Sequence, residues 1–322
     1  MTSLRPPSSS PSTYRNPVYA GYFADPFVLR HDGRYLAYGT GGTVDGLVFE
    51  VLESADLVAW HRVGGAMKPV AEELGTDYWA PEVIEAGGRF WLYYSVGHGD
   101  AGHHLRVAVA DDPCGPFDDC DVNLTPDERF AIDPHPFRDV DGTCYLYFAR
   151  DVLDVERAGT QLAVDVLPTM TSLAGSPQTV LGASADWQIY QRDRAMYGGR
   201  YDWLTLEGPS VRRHEGTYYC LCSGGSWQTE GYAVSWARAA SPLGPWTEAP
   251  AESGRLLASV PGHVRGPGHN SVVSTPGGHD LLVYHAWDEA LSKRMMCLDP
   301  LLWDADGPHT PGPSWEERDL PT

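Results

Sequence analysis

The sequence predicts an all-β fold, a five-bladed β-propeller, on three observations. A phrase made of an apolar strand start, a turn rich in Gly or Asp, and an aromatic-rich strand occurs five times, at residues 23–38, 79–94, 132–147, 206–221 and 269–284. The chain holds 17 Tyr and 11 Trp residues, which are typical of strand-rich proteins. No amphipathic helix longer than about two turns is indicated by the hydrophobic pattern.

Each copy of the phrase is predicted to be a β-hairpin, because its centre holds residues that tolerate positive φ. The turn pairs are Asp32-Gly33, Gly87-Gly88, Asp141-Gly142, Glu215-Gly216 and Gly277-Gly278. One or two further strand-like runs follow, which gives about four strands in roughly 60 residues, the size of a propeller blade. A β-sandwich and a multi-domain β protein are the competing folds, but neither requires five similar phrases.

The chain is predicted to form one domain, a propeller over residues 16–322, because no linker or break in composition divides it. Residues 1–15 are rich in Ser and Pro and are predicted to be a disordered lead-in. They lack the apolar region of a secretory signal, so the expected location is cytoplasmic. The stretch 151–205 is the least regular, and we expect it to carry a loop that shapes one side of a site.

The formal net charge of −20 argues against nucleic acid and against an anionic membrane surface as partners. A neutral or cationic ligand is compatible with this charge. The aromatic share of 11% also suits a carbohydrate site, because aromatic faces pack against sugar rings.

Three of the five copies place an acid at or beside the start of their first strand: Asp25, Asp133 and Glu207. In a propeller these strands surround a central channel, so we expect the three acids to occupy equivalent places and to meet at its mouth. Pro81 and His269 replace the acid in the other two copies. Facing carboxylates are costly, since repulsion and desolvation raise their pKa values, and such clusters are usually retained for function. One Asp-Pro alone is ordinary turn punctuation, but that does not explain three acids.

Hydrolysis of a glycosidic bond uses such a set. One carboxylic acid with a raised pKa protonates the leaving oxygen, while a carboxylate on the opposite face activates water. The longer Glu suits the acid, and the shorter Asp leaves room for water. Position therefore predicts Glu207 as the acid and Asp25 as the base, with a third negative charge able to keep the acid protonated.

The chain resembles glycoside hydrolase family 43 over about residues 16–304. The resemblance is carried by Ala-Asp-Pro at 24–26, Trp-Ala-Pro-Glu at 79–82, Ile-Asp-Pro at 132–134 and Leu-Glu-Gly-Pro at 206–209. Members of that family are five-bladed propellers that cleave α-L-arabinofuranosides or β-xylosides with inversion. The resemblance implies Asp25 as general base, Glu207 as general acid, and Asp133 as the residue that modulates the pKa of the acid and orients it.

Four residues are predicted to contact substrate. Phe27 and Trp79 are expected beside the carboxylates, where aromatic faces stack on sugar C–H groups. The resemblance extends to residues 284–288 and Arg294, and it implies that His285 and Arg294 bind the sugar as well. A planar guanidinium can bind adjacent hydroxyls.

No cofactor is expected to be required for the chemistry. The resemblance implies that His269 lies in the channel beside a structural metal ion, often calcium. Because calcium prefers oxygen ligands, a channel histidine held by hydrogen bonds is the alternative interpretation.

The sequence therefore predicts an inverting glycosidase for arabinose- or xylose-containing oligosaccharides, with an exo-acting α-L-arabinofuranosidase as first choice. The lack of an export signal and of the C-terminal β-sandwich of many β-xylosidases favours that choice. A β-xylosidase, an endo-α-1,5-arabinanase and a noncatalytic sugar-binding propeller are the alternatives. We expect the carboxyl groups of Asp25 and Glu207 to lie about 6.5–9.5 Å apart, the range of inverting enzymes.

Overall fold

The computed structural model describes residues 13–250 and 255–321. This part of the chain is all-β, apart from two short 3₁₀ helices at Glu72–Leu74 and Asp186–Gln188. Neither helix has the length and apolar character needed to cross a membrane. The strands form five antiparallel units of four.

The strands follow one another in the order of the units. The first described strand is β1 (Thr13–Tyr14). Unit one contains β2 (Ala24–His31), β3 (Arg34–Thr40), β4 (Val48–Ser54) and β5 (His61–Met67). Unit two contains β6 (Asp77–Ala86), β7 (Arg89–His98), β8 (Ala101–Ala110) and β9 (Asp118–Asn123). Unit three contains β10 (Ala131–Arg138), β11 (Cys144–Val152), β12 (Gly159–Val166) and β13 (Gln178–Leu181).

The last two units are preceded by an additional strand, β14 (Ile189–Met196). Unit four contains β15 (Gly199–His214), β16 (Thr217–Gly224), β17 (Ala233–Ala239) and β18 (Thr247–Glu248). Unit five contains β19 (Arg265–Ser274), β20 (Asp280–Trp287), β21 (Arg294–Asp304) and β22 (Gly307–His309). The last described strand is β23 (Arg318–Asp319).

The first strands of the units form a closed ring. Each contacts the next in the order β2, β6, β10, β15 and β19, and β19 contacts β2 again. The predicted fold class, an all-β propeller, is confirmed, and the predicted hairpins are the first two strands of each unit.

The hydrophobic core is divided into five clusters, and each cluster lies between two neighbouring units. Between units one and two, for example, Phe49 packs edge-on against Tyr78 and Tyr94 with ring centroids 5.9 and 5.7 Å apart. The other four clusters join units two and three, three and four, four and five, and five and one. Each sheet therefore buries its apolar faces only by stacking on its neighbours, which is why the phrase is repeated.

The irregular stretch 151–205 adds a hairpin to this plan. Strand β14 pairs with the first half of β15, and the end of that half also pairs in parallel with the start of β12 at Gly159↔Leu204 and Thr160↔Thr205. This parallel pairing joins units three and four into one nine-stranded sheet. The hairpin is therefore fixed to both units.

The two ends of the described chain close the ring against unit five. Strand β1 pairs with β23, and the hydroxyls of Tyr14 and Tyr284 donate hydrogen bonds to the buried carboxylate of Asp299 at 2.8 and 2.6 Å. The Asn16 side chain forms two hydrogen bonds with the backbone of Leu298, both 2.8 Å long. Residues 1–12 of the predicted disordered segment lie outside the described residues. The expected disorder does not extend to Thr13 and Tyr14, which belong to β1.

Candidate active site

All five inner strands have the same irregularity near their start. The pairing with the second strand skips residues between 24 and 27, 79 and 82, 132 and 135, 207 and 210, and 268 and 271. At each skip one residue has a positive φ: Asp25 (51°), Ala80 (49°), Asp133 (58°), Gly208 (56°) and His269 (47°). Such conformations are unfavourable for residues other than glycine and cluster at functional sites.

This register corrects two details of the sequence analysis. Asp25 and Asp133 are equivalent, but Glu207 stands one residue earlier, at the place that Trp79 has in unit two. The residue of unit two that corresponds to Asp25 is Ala80, not Pro81. The offset arises because unit four has Gly208 at the positive-φ position, where a residue without Cβ is under least strain.

The backbone N–H of the positive-φ residue is bound from the neighbouring unit. Thr40 of unit one accepts the N–H of Ala80 at 2.8 Å, and Ser223 of unit four accepts that of His269 at 2.7 Å. The buried His285 of unit five accepts the N–H of Asp25 through Nδ1 at 3.2 Å. Thr40, Ser223 and His285 occupy the same register position on the second strands of their units.

Unit three breaks this pattern. Its corresponding residue is Ala149, opposite Ile132, and alanine has no acceptor atom. The N–H of Gly208 is instead donated to the carboxylate of Asp133 at 2.9 Å. In unit two the corresponding Ser95 hydroxyl is 3.3 Å from the carbonyl of Trp79 in the same unit. The absence of a side-chain acceptor at position 149 therefore lets Asp133 bind the residue next to Glu207.

Asp25 is buried yet held in its ionised form. Burial by itself would raise its pKa, but the neighbouring Arg294 guanidinium and the two histidines hold the pKa well below its usual range. The closest of these contacts joins Arg294 Nη1 to Asp25 Oδ1 at 3.1 Å, and His269 Nδ1 lies 3.4 Å from the same oxygen. Asp25 is therefore a permanent carboxylate near neutral pH.

Glu207 and Asp133 have the opposite electrostatic behaviour. Burial raises the pKa of Glu207 to about 7, and repulsion from Asp25 adds to the effect, although the hydrogen bond from the Tyr232 hydroxyl opposes it. That hydroxyl donates to Glu207 Oε1 at 2.6 Å. Burial and the repulsion of Glu207 and Asp25 also raise the pKa of Asp133 well above its usual range. One pocket thus holds a permanent anion opposite a pair of carboxyl groups in which burial and repulsion favour the protonated forms.

The three acids lie in one cavity of about 260 Å³, called here the main cavity. Its lining comprises Tyr22, Asp25, Thr40, Trp79, Asp100, Ile132, Asp133, Glu207, Trp227, His269 and Arg294. Arg294 donates a hydrogen bond to the Tyr22 hydroxyl at 2.9 Å, and its guanidinium lies 4.5 Å from the ring centroid of Trp227. Trp79 is held by stacking on the buried His103, with ring centroids 3.7 Å apart.

Besides the three acids, five residues were predicted to lie at this site; three of them line the main cavity and two need correction. Trp79, Arg294 and His269 line the main cavity beside the acids, as expected. Phe27 does not: it pairs opposite Tyr38 and packs on the core between units one and two. His285 is completely buried beneath Asp25 and stacks on Tyr232, so it supports other side chains and has no surface to offer a sugar.

The sequence analysis missed Tyr232 and Asp100. Tyr232 reaches Glu207 because position 268 is glycine: a Cβ there would lie 2.1 Å from the Tyr232 ring. Asp100 enters from the turn between β7 and β8, far from the repeated phrase. Neither Tyr232 nor Asp100 lies in the repeated phrase, so no sequence pattern pointed to them.

His269 is predicted to lie beside a structural metal ion. In the described ranges, no group of three or more His, Cys, Asp or Glu side chains is arranged to hold a metal ion. The adjacent Asn270 is buried, and both polar atoms of its side chain are without a hydrogen-bond partner among the described residues. A buried amide oxygen beside His269 fits a calcium ion that takes most of its other ligands from water.

The chain is similar to known glycosidases over nearly its whole length. The model of the glycosyl hydrolases family 43 matches residues 14–309. A β-D-galactofuranosidase of Aspergillus niger is 28% identical over 313 residues, which span 91% of this chain and 83% of that protein. An extracellular exo-α-(1→5)-L-arabinofuranosidase of Streptomyces avermitilis is 25% identical over 94% of this chain, but this match spans only 63% of the relative.

The solved structures agree with this assignment. A thermostable family-43 glycoside hydrolase is 32% identical, with a TM-score of 0.83 over 94% of this chain and 97% of that one. An endo-1,4-β-xylanase of Bacteroides thetaiotaomicron is 28% identical, with a TM-score of 0.73 over 94% of this chain. With the family model covering most of the residues, this chain belongs to glycoside hydrolase family 43 and is a glycoside hydrolase.

Proposed function

We propose that the protein is an inverting, exo-acting α-L-arabinofuranosidase. The observation that carries the proposal is the opposed electrostatics of one cavity, in which Asp25 is held ionised while Glu207 has a pKa of about 7. A raised and a depressed carboxyl in one pocket is the arrangement that glycoside hydrolysis requires. The relative from Streptomyces avermitilis supports the choice of sugar.

In this mechanism, water bound beside Asp25 loses its proton to that carboxylate and attacks the anomeric carbon. Glu207 protonates the departing oxygen from the other side. Because Tyr232 donates to Oε1, the transferable proton is placed on Oε2. Asp133 is fixed by the Gly208 N–H and faces Glu207; burial and mutual repulsion disfavour ionising both carboxyl groups, so the pair retains a proton that Glu207 can donate. Arg294 keeps Asp25 charged and has further N–H donors for a substrate hydroxyl.

The size of the main cavity supports exo action. At about 260 Å³ it is slightly smaller than the usual small-molecule site of about 300–1,000 Å³, which favours one sugar ring over a groove for several. A β-xylosidase or an endo-α-1,5-arabinanase remains the alternative within the family.

A second candidate substrate is a β-D-galactofuranoside. The Aspergillus niger relative that acts on this sugar is 28% identical and is matched over 83% of its length. Galactofuranose is a five-membered ring like arabinofuranose but carries a longer exocyclic chain. The two activities therefore require the same carboxyl groups and differ in the space beside the ring.

The proposal is tested by measuring hydrolysis of 4-nitrophenyl α-L-arabinofuranoside, β-D-xyloside and β-D-galactofuranoside, with proton NMR to identify the first anomer released. We expect the arabinofuranoside to have the highest kcat/KM and to release β-L-arabinofuranose first. Release of the α anomer would contradict inversion. A preference for another glycoside would replace the substrate but leave the carboxyl roles in place.

The roles of the two carboxyl groups predict different responses to the leaving group. Glu207→Gln is expected to lower kcat/KM by about 10²–10⁴-fold on an alkyl glycoside, because protonation of the leaving oxygen is lost. The loss should be much smaller on a dinitrophenyl glycoside, whose leaving group needs no proton. Asp25→Asn should impair both substrates equally, because water must be activated in each case. Equal losses for Glu207→Gln on both substrates would exclude Glu207 as the acid.

The pKa of Glu207 predicts that activity falls as the pH rises through about 7, where the acid loses its proton.

We expect residue 149 to influence the pH at which this loss of activity occurs. In Ala149→Ser the new hydroxyl can accept the Gly208 N–H, as Thr40 and Ser223 do in their units. Asp133 then loses a bond that favours its ionised form, so the proton that the pair retains stays on Asp133 and Glu207 ionises more readily. We expect the basic limb of the pH profile of kcat/KM to move to lower pH.

Ala149→Gly is the matched control, since it changes the same buried position without adding an acceptor. Its pH profile of kcat/KM should keep the wild-type basic limb. Identical profiles for the serine and glycine variants would show that the Asp133–Gly208 bond does not set the acidity of Glu207.

We also propose that a structural calcium ion is held beside His269 and Asn270, where its positive charge would favour the ionised forms of the nearby carboxyl groups. In chelator-treated protein, added calcium should raise the melting temperature, because a ligand that binds only the folded state stabilises it. The response should be weaker in Asn270→Ala. A melting temperature that calcium leaves unchanged would reject the ion.

A further inference from the structure

A second cavity lies beside Glu207, called here the side cavity. It shares five lining residues with the main cavity: Trp79, Asp100, Ile132, Glu207 and Trp227. Asp25, Asp133 and Arg294 line only the main cavity. The side cavity therefore opens from the main cavity on the side of Glu207 and away from Asp25.

The outer wall of the side cavity comes from the additional hairpin of β14 and the first half of β15. Its contributions are Tyr190, Arg194, Met196 and Trp203. The hairpin is pinned to unit three, because the Tyr197 hydroxyl donates a 2.7 Å hydrogen bond to the buried Asp151, which also accepts one from Thr160 at 2.8 Å. Each four-stranded unit is complete without this hairpin, so we attribute its role to the cavity wall that it forms.

Arg194 is the polar group of that wall. Its guanidinium lies 4.8 Å from the ring centroid of Tyr190 and 5.8 Å from that of Trp203. Its Nη2 donates a 3.2 Å hydrogen bond to Asp100 across the opening. The Arg194 side chain is only 15% exposed, whereas that of Arg200 on the same hairpin is 64% exposed and is paired with Asp193.

We propose that the side cavity is the leaving-group subsite, and that Arg194 binds the sugar on the far side of the bond that is cleaved. The inference rests on the proposed role of Glu207: a group whose oxygen is protonated by Glu207 must extend past Glu207 and away from the water held by Asp25. The side cavity is the space that the fold provides in that direction.

The chemistry of the wall selects a neutral, hydroxyl-rich leaving group. Aromatic faces of Trp79 and Trp227 at the opening suit the C–H faces of a sugar ring. Arg194 has five N–H donors, and among the described residues it donates a hydrogen bond only to Asp100. Because Asp100 balances the charge of Arg194, and Asp151 and Glu207 lie in the same wall, an anionic sugar is not favoured.

The test compares two substrates that share a glycone and differ beyond the cleaved bond: methyl α-L-arabinofuranoside and α-1,5-arabinobiose. Arg194→Gln is expected to lower kcat/KM on the disaccharide by about ten- to a hundredfold, the usual effect of losing a hydrogen bond to a charged group. It should leave the methyl glycoside within about twofold. Arg200→Gln, on the same hairpin but pointing to solvent, is the control and should alter neither. The same comparison is made with methyl β-D-xyloside and xylobiose.

The outcomes separate the two proposals. If the wild-type enzyme cleaves neither pair, the proposed function and the subsite both fail. If it cleaves one pair but Arg194→Gln lowers kcat/KM equally on both members, the side cavity does not bind the leaving group. An unchanged kcat/KM on both members also overturns the inference. Should Arg194→Gln fold poorly, Arg194→Lys keeps the positive charge beside Asp100 but not the planar fork of donors, and it should give a smaller loss confined to the disaccharide.

Discussion

Each inner strand leaves its regular ladder for one residue of positive φ, and in four of the five units a side chain of the neighbouring blade binds the backbone N–H of that residue. The rest of the site depends on this constraint. It fixes Asp25 and Asp133 at equivalent positions on the ring, and it places Glu207 one residue earlier, beside the glycine of unit four. Three blades satisfy the N–H with Thr40, Ser223 or His285. In unit three, where Ala149 has no acceptor atom, the carboxylate of Asp133 accepts the N–H of Gly208 instead.

The three neighbouring acids differ in their electrostatic behaviour. Asp25 gains a guanidinium and two imidazoles, so its charge is stabilised despite burial. Asp133 and Glu207 form no ion pair with an Arg or Lys in the described part of the chain, so burial and repulsion favour their protonated forms. Burial is common to all three; the placement of Arg294 decides which of them remains ionised.

Sequence analysis identified the acids because the repeated phrase shows which residues stand at the start of an inner strand. Such residues face the central channel in every unit. It was wrong about two residues near the acids and missed three others. Phe27 and His285 stand within the phrase or beside it, yet the first packs into the core and the second lies beneath Asp25. Tyr232, Asp100 and Arg194 enter the cavities from other strands and turns, where no periodicity pointed to them.

The sequence by itself determined the number of repeats, the all-β class, the family and the acids at the strand starts, because these follow from local patterns of turns, aromatic residues and carboxylates. Only the tertiary structure decided which acid is ionised, which side chain accepts the N–H of each blade, and where the hairpin of β14 and β15 closes beside Glu207. Those properties arise from distances between residues far apart in the chain. Burial and charge act through space, and a linear pattern does not record them.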